Sequence, residues 1–230
     1  SNLLGWGKSV EMDYSKDVDR NSWELSYNDP NLVGTRWTLD AAYSDTSDGG
    51  RHALNVLYPF YSLNTRWSGG LEVAHDNRRE QRFEQGIAVD QYRVKRDISG
   101  VQVGWSTGVK QGKRGRPDWV QRWSLGYRST EQSFVVDPQL GTTRLPENSK
   151  LRYPWVGLSW FQDNYLVVRN REQIARTEDL LMGRSLNLSY GVASRGTGSD
   201  RNSRLITISF QDAFRLSERQ FVFIKLGING

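Results

Sequence analysis

From Asn21 to Val73 the chain alternates apolar and polar residues through four successive runs joined by turns. In the first, Trp23, Leu25 and Tyr27 alternate with Ser22, Glu24, Ser26 and Asn28. Successive side chains of a strand point to opposite faces, so this run has one apolar face and one polar face. The pattern repeats with Trp37, Leu39, Ala41 and Tyr43 against Arg36, Thr38, Asp40 and Ser44. It continues in Leu54, Val56, Tyr58 and Phe60, then in Trp67, Leu71 and Val73 against Arg66, Ser68 and Glu72. A soluble sandwich also alternates. The aromatics separate the two cases: Trp23, Tyr27, Trp37, Tyr43, Tyr58 and Phe60 gather near the ends of the apolar faces. Aromatic girdles at both edges of an apolar band, with polar residues facing a lumen, are the signature of a transmembrane barrel. The predicted fold is therefore all-β, an antiparallel up-and-down transmembrane β-barrel.

Extending the alternation predicts twelve strands, at about 5–15, 21–28, 35–45, 52–60, 65–75, 98–107, 118–128, 153–161, 164–170, 183–193, 202–211 and 217–229, with 82–93 compatible with one more. The connections at 29–34 and 60–64 are short, whereas those at 45–51, 76–97, 129–152 and 171–182 are longer or more polar. That asymmetry predicts short periplasmic turns and longer extracellular loops. The basic segment Lys110–Asp118 falls on the turn side and reads as a solvated turn.

Composition narrows the alternatives. The 230 residues are 37% hydrophobic and 12% aromatic, with a mean hydropathy of −0.67. The longest apolar runs, Tyr165–Val168 and Phe221–Ile224, are four residues, far short of the ~20 that a membrane-spanning helix needs. A barrel strand needs only ~9–11 residues with one apolar face. No composition shift or linker divides the chain, so residues 1–230 read as a single domain. The absence of cysteine excludes a disulfide scaffold or a thiolate metal site and suits passage through an oxidising periplasm. The net charge of +5 comes from 31 basic and 26 acidic residues spread along the chain, not from the clustered basic face of a nucleic-acid binder. No signal peptide opens the chain, which predicts a mature sequence or a piece of a longer precursor.

Candidate chemistry is sparse. With only His52 and His75, a three-histidine metal site cannot be built, and a two-histidine site requires both on one lumen face. His75 shares the apolar parity of Trp67, Leu71 and Val73, which predicts an interfacial position. Gly104-Trp105-Ser106-Thr107-Gly108 matches the pattern of a nucleophile elbow, but an elbow requires strand, sharp turn and helix. Here a strand pattern precedes it and a Gly- and Pro-containing turn follows. Asp40, Glu72 and Arg36 are expected to face the lumen and form ion pairs there. Gly69, Gly70, Gly104, Gly126, Gly157 and Gly191 fall mid-strand and predict bends, bulges or close approaches. No catalytic, cofactor or metal site is expected.

Two turns carry a resemblance. The segment Asp29-Pro30-Asn31-Leu32-Val33-Gly34-Thr35, followed at the end of the fourth run by Pro59-Phe60-Tyr61, resembles the first turns of the bacterial surface antigen barrels, the BamA-type outer-membrane assembly and translocation superfamily. The residues carrying it are Asp29, Asn31, Leu32, Gly34 and Thr35, then Pro59, Phe60 and Tyr61. The segment from Asn170 to Gly183 is similar to members of the superfamily less specifically. The family's Arg-Gly-Tyr or Arg-Gly-Phe loop motif is not found, and the chain ends in Ile228-Asn229-Gly230 where such barrels usually end in an aromatic residue. The family barrel has about sixteen strands, so the resemblance implies that this chain holds most of a wall, incomplete at its C-terminal end. It further implies a location in the bacterial outer membrane, contact with its lipid, and a role in inserting or translocating client barrels or secreted proteins, without catalysis, cofactor or nucleic acid. The family mechanism would make the first strand, with Leu4, Gly5, Trp6, Gly7 and Ser9, a lateral gate. Two other readings stand beside it. One is a pore with Arg36, Asp40, Glu72 and Arg122 setting selectivity; the other is the anchoring barrel of a patatin-like lipase fusion.

Overall fold

The computed structural model describes residues 2–3, 7–16, 21–112, 118–136, 145–169, 177–217 and 220–230. The alternating runs become one antiparallel sheet. Its strands are β1 (Asn2–Leu3), β2 (Lys8–Lys16), β3 (Asn21–Asp29), β4 (Thr38–Thr46), β5 (Gly49–Tyr58), β6 (Trp67–Glu84), β7 (Ile87–Lys110), β8 (Asp118–Val136) and β9 (Ser149–Asp163). After a separate hairpin, β10 (Tyr165–Arg169) with β11 (Thr177–Leu181), it continues through β12 (Ser185–Ala193), β13 (Ser203–Arg215) and β14 (Phe221–Asn229). Neighbours in the sheet are neighbours in sequence apart from the step from β9 to β12 over the hairpin. The meander is up-and-down, as predicted, but among the described residues β14 does not pair with β1 or β2 and the sheet stays open.

Three expectations are corrected. The run at 164–170, expected as a wall strand, instead forms one arm of the separate hairpin. The wall consequently holds eleven full strands and the two-residue β1. Because β9 pairs directly with β12, β10 and β11 lie at the turn end of the sheet and not at the loop end expected for 171–182, of which 171–176 lie outside the described residues. The polar stretch 76–97 is not a loop: β6 and β7 run on as a ladder to a turn at Gln85-Gly86. Both turn residues have positive φ, 51° and 82°, as the hairpin turn of matching twist requires. The third concerns the first strand. Leu4, Gly5 and Trp6 lie outside the described residues; Gly7 is in a turn with φ 74°, and Asn2–Leu3 fold back against Ser9 and Lys8.

Every register pair joins residues of one face, so the alternation carries across the sheet. Asp29, Leu39, Val56, Leu71, Val101 and Tyr127 lie opposite one another in turn, as do Trp67, Trp105, Trp123, Leu158, Leu188, Ile208 and Ile228. The other face carries Ser9, Asn28, Asp40, Asn55, Glu72, Gly100, Arg128 and Tyr153 in the same relation. Polar-face residues of seven consecutive strands, β2 to β8, line one hollow of about 660 Å³. The polar face is therefore concave and the apolar face convex.

The apolar face has no partner layer. Among the described residues four hydrophobic side chains are buried (Val94, Val120, Ala193 and Ala213), whereas thirty-four large ones are exposed. Val101, Val103 and Leu125 each keep more than half of their surface open. A soluble sheet of this size buries its apolar face against a second layer, and monomeric soluble proteins rarely leave so extended an apolar patch uncovered. Aromatic pairs bracket the band: Trp23 meets Tyr43 edge-on at its loop end and Trp37 meets Tyr58 at its turn end, both with ring centroids 5.5 Å apart. On β6 the apolar face runs from Trp67 to His75, nine residues of the strand.

Candidate functional site

The turn after β3 folds as its residues dictate. The buried Asp29 carboxylate accepts from the Asn31 amide at 3.0 Å and from the Tyr27 hydroxyl at 3.1 Å, and meets Lys8 Nζ at 3.1 Å. Asn31 opens a single 3₁₀ turn over Leu32–Gly34; the Thr35 hydroxyl donates to the Leu32 carbonyl at 2.7 Å. Gly34 has φ 71°, in the left-handed region that glycine enters without a Cβ penalty. Val33 is left-handed too, at φ 52°, and a β-branched residue is a steric outlier there. Val33→Gly is accordingly expected to raise stability by up to about 1 kcal/mol. Relief of ~1–2 kcal/mol of strain outweighs the ~0.5–1 kcal/mol of extra backbone entropy that glycine loses. Gly34→Val should lower it; urea midpoints of the folded protein in detergent would read both.

The Pro59-Phe60-Tyr61 turn departs from expectation. Phe60 was expected to continue the apolar face of its run, but β5 ends at Tyr58 and Phe60 turns to the concave side. There a Cβ built on Gly104 would lie 2.9 Å from the tip of the Phe60 ring. The Arg122 guanidinium stacks between Phe60 and Phe161, at 4.6 and 4.8 Å from the ring centroids, and donates to the Ser62 carbonyl at 3.2 Å. Arg36 does not pair with Asp40; it lies 3.8 Å over the Tyr61 ring. Arg36, expected to form ion pairs in a lumen, and Arg122, named for pore selectivity, instead clamp this turn.

Of the expected charges, Asp40 and Glu72 do lie on the concave face. Asp40 accepts from the side chains of Asn28 and Asn55. Glu72 pairs with Arg128 at 2.8 Å, reaching across the intervening strand at Gly100. A Cβ at Gly100 would sit 2.9 Å from Glu72 Oε1, so a side chain there would make the Glu72 carboxylate shift from its present path. Arg128 was not anticipated, although it shares the parity of Arg122 on the same strand and that signal could have found it. The mid-strand glycines serve mostly as seats for side chains. The Trp155 ring lies where a Cβ on Gly126 would come within 2.6 Å of it, and Tyr153 occupies the corresponding place at Gly191.

Ser106 of the Gly-x-Ser-x-Gly match is fully buried at a β-bulge on β7, where its hydroxyl accepts from the Gly108 amide at 3.1 Å. Gly108 has φ 67° and the strand resumes after it, without a helix.

The two edges of the wall are the remaining candidate site. Among the described residues, β2 beyond Ser9 pairs with β3 alone, and β14 pairs with β13 alone. Each of the two edge strands is nine residues long. Both carry alternating apolar residues on the convex face: Val10, Met12 and Tyr14 on one, Val222, Ile224, Leu226 and Ile228 on the other. Lys8 and the Asp29 carboxylate tie the base of β2 to the first turn.

No protein-family model matches the chain, and no curated protein matches it. Among solved structures, a similar one is the crystal structure of BamA from Haemophilus ducreyi lacking POTRA domains 1–3, at 14% identity and a TM-score of 0.49. The match covers 95% of this chain and 45% of that one, so this chain spans less than half of that structure's length.

Proposed function

We propose that this chain is the wall of a bacterial outer-membrane β-barrel of the BamA-type surface antigen superfamily and assists the insertion or translocation of other proteins through a lateral seam. The observation that carries the reading is an inside-out sheet whose two edge strands have no second neighbour among the described residues. Its convex face is apolar and bracketed by aromatics, and its concave face is polar. The nine residues from Trp67 to His75 fit the ~9–11 that a tilted strand needs to cross hydrocarbon. In lipid an unpaired edge leaves each N–H and C=O without a partner, so the edges must be closed in the membrane, by each other or by further strands. A seam closed by backbone bonds alone is also a template to which an incoming strand can add. The turn Asp29–Thr35 and the turn Pro59–Tyr61 support the family assignment. On this reading the tight end, with those turns, faces the periplasm, and the extended β6–β7 ladder projects outside the cell.

A second reading, a solute-conducting pore, is favoured by the polar concave wall, where Asp40 and the Glu72–Arg128 pair line the hollow. Reconstitution separates the two. The complete protein in liposomes is expected to accelerate the folding of a urea-denatured outer-membrane barrel added from outside. Steady ion conductance without any such acceleration would replace the assembly role with the pore.

A further inference from the structure

His52 and His75 do share a face, but it is the convex one and not the lumen face that a two-histidine site was expected to need. His52 and His75 are direct register partners on β5 and β6, and the next residue across, on β7, is Asp97. The imidazole centroids are 6.3 Å apart with planes inclined by 22°, and Tyr43 closes the other side of His52 at 4.9 Å. His75 Nδ1 lies 2.6 Å from Asp97 Oδ1. A carboxylate accepts, so this contact assigns a ring proton to Nδ1 and makes Nε2 the nitrogen available to a metal, the way a carboxylate orients a metal-binding histidine. The site is open: His75 and Asp97 are 44% and 63% exposed, and they border a groove of about 600 Å³.

We infer that His52 and His75 bind a divalent cation of the zinc and copper class on the convex face, with Asp97 as the positioning residue. Metal–nitrogen bonds of ~2.0–2.1 Å put two imidazole centroids sharing one ion about 5 Å apart at a tetrahedral angle and about 6 Å apart when the angle opens. The observed separation needs only a side-chain adjustment. Among the described residues no three such side chains converge on one point, so the two nitrogens are the protein ligands and water completes the shell. Glu131, the next acid in the row after Asp97, is held by Lys150 at 3.1 Å and is not a third ligand. Imidazole nitrogens suit zinc and copper, whereas calcium and magnesium take oxygen ligands.

The test uses the full chain without a histidine tag, folded in detergent micelles. Titration with Zn²⁺ followed by calorimetry is expected to show one saturable site, weakened at least tenfold by His52→Asn or His75→Asn. Asp97→Asn should weaken it by roughly 10- to 100-fold, the range for loss of an orienting partner. Should either histidine variant fail to fold, Cu²⁺ bound to the unaltered protein still decides. Its electron paramagnetic resonance spectrum should show nitrogen splitting from two imidazoles. Absence of saturable binding, undiminished binding in a folded His52→Asn/His75→Asn double variant, or a copper spectrum with one imidazole or none would overturn the site.

Discussion

Arginine at Val56 is expected to destabilise the folded protein in lipid bilayers by about 2–4 kcal/mol, the cost of a cation facing hydrocarbon near the midplane. Val56 lies on the convex face between its register partners Leu39 and Leu71, well inside the aromatic brackets. The adjacent position supplies the contrast. Asn55 points to the concave face between Asp40 and Glu72, so arginine there gains carboxylate neighbours and should leave stability nearly unchanged. Equilibrium unfolding in urea from vesicles measures both. If Val56 faced water, its replacement would fall within the ~0.5 kcal/mol typical of surface substitutions. Cysteines give an independent reading in a chain that has none: one at Asn55 should react with a water-soluble maleimide in membranes, and one at Val56 should not. The reverse pattern would invert the assignment of faces.

The faces were legible because alternation is local: parity within β3 to β6 decides which way each side chain points, and the register pairs preserve it. The turn at Asp29–Thr35 was legible for the same reason, each residue acting within a few positions of itself. What sequence could not show depends on neighbours distant along the chain. Arg122 was named for a lumen only under the pore reading; that its guanidinium stacks between Phe60, in the turn after β5, and Phe161, on β9, depends on segments distant in sequence. Gly100 and Gly126 were visible as mid-strand glycines. That one clears the path of an ion pair and the other seats an indole follows only from register. The 164–170 run failed for a different reason. Its apolar stretch is as strand-like as any other, and alternation cannot say whether a strand joins the wall or pairs with the segment just after it. That choice reversed the direction assigned to each later strand.

Locking the seam should have the largest functional effect. In the complete protein, a cysteine on β2 near Ser9 or Val10, disulfide-bonded to a cysteine on the strand that closes against it, is expected to abolish client insertion while leaving the barrel folded. The physical argument is that strand addition needs an edge whose backbone groups can be released from their closing partner. β2 is suited to that release. Beyond Ser9 it is paired on one side only, its apolar residues are confined to Val10, Met12 and Tyr14, and its base is anchored by Lys8 and Asp29, so the strand can part without leaving the wall. The matched control joins Ser26 to Ala42, register partners on β3 and β4 that no gate needs to separate; this bond should leave insertion intact. A reductant should restore the seam-locked protein. Full insertion activity with the seam bond formed would remove the gate, and ion conductance persisting in the locked barrel would assign the concave wall to a pore.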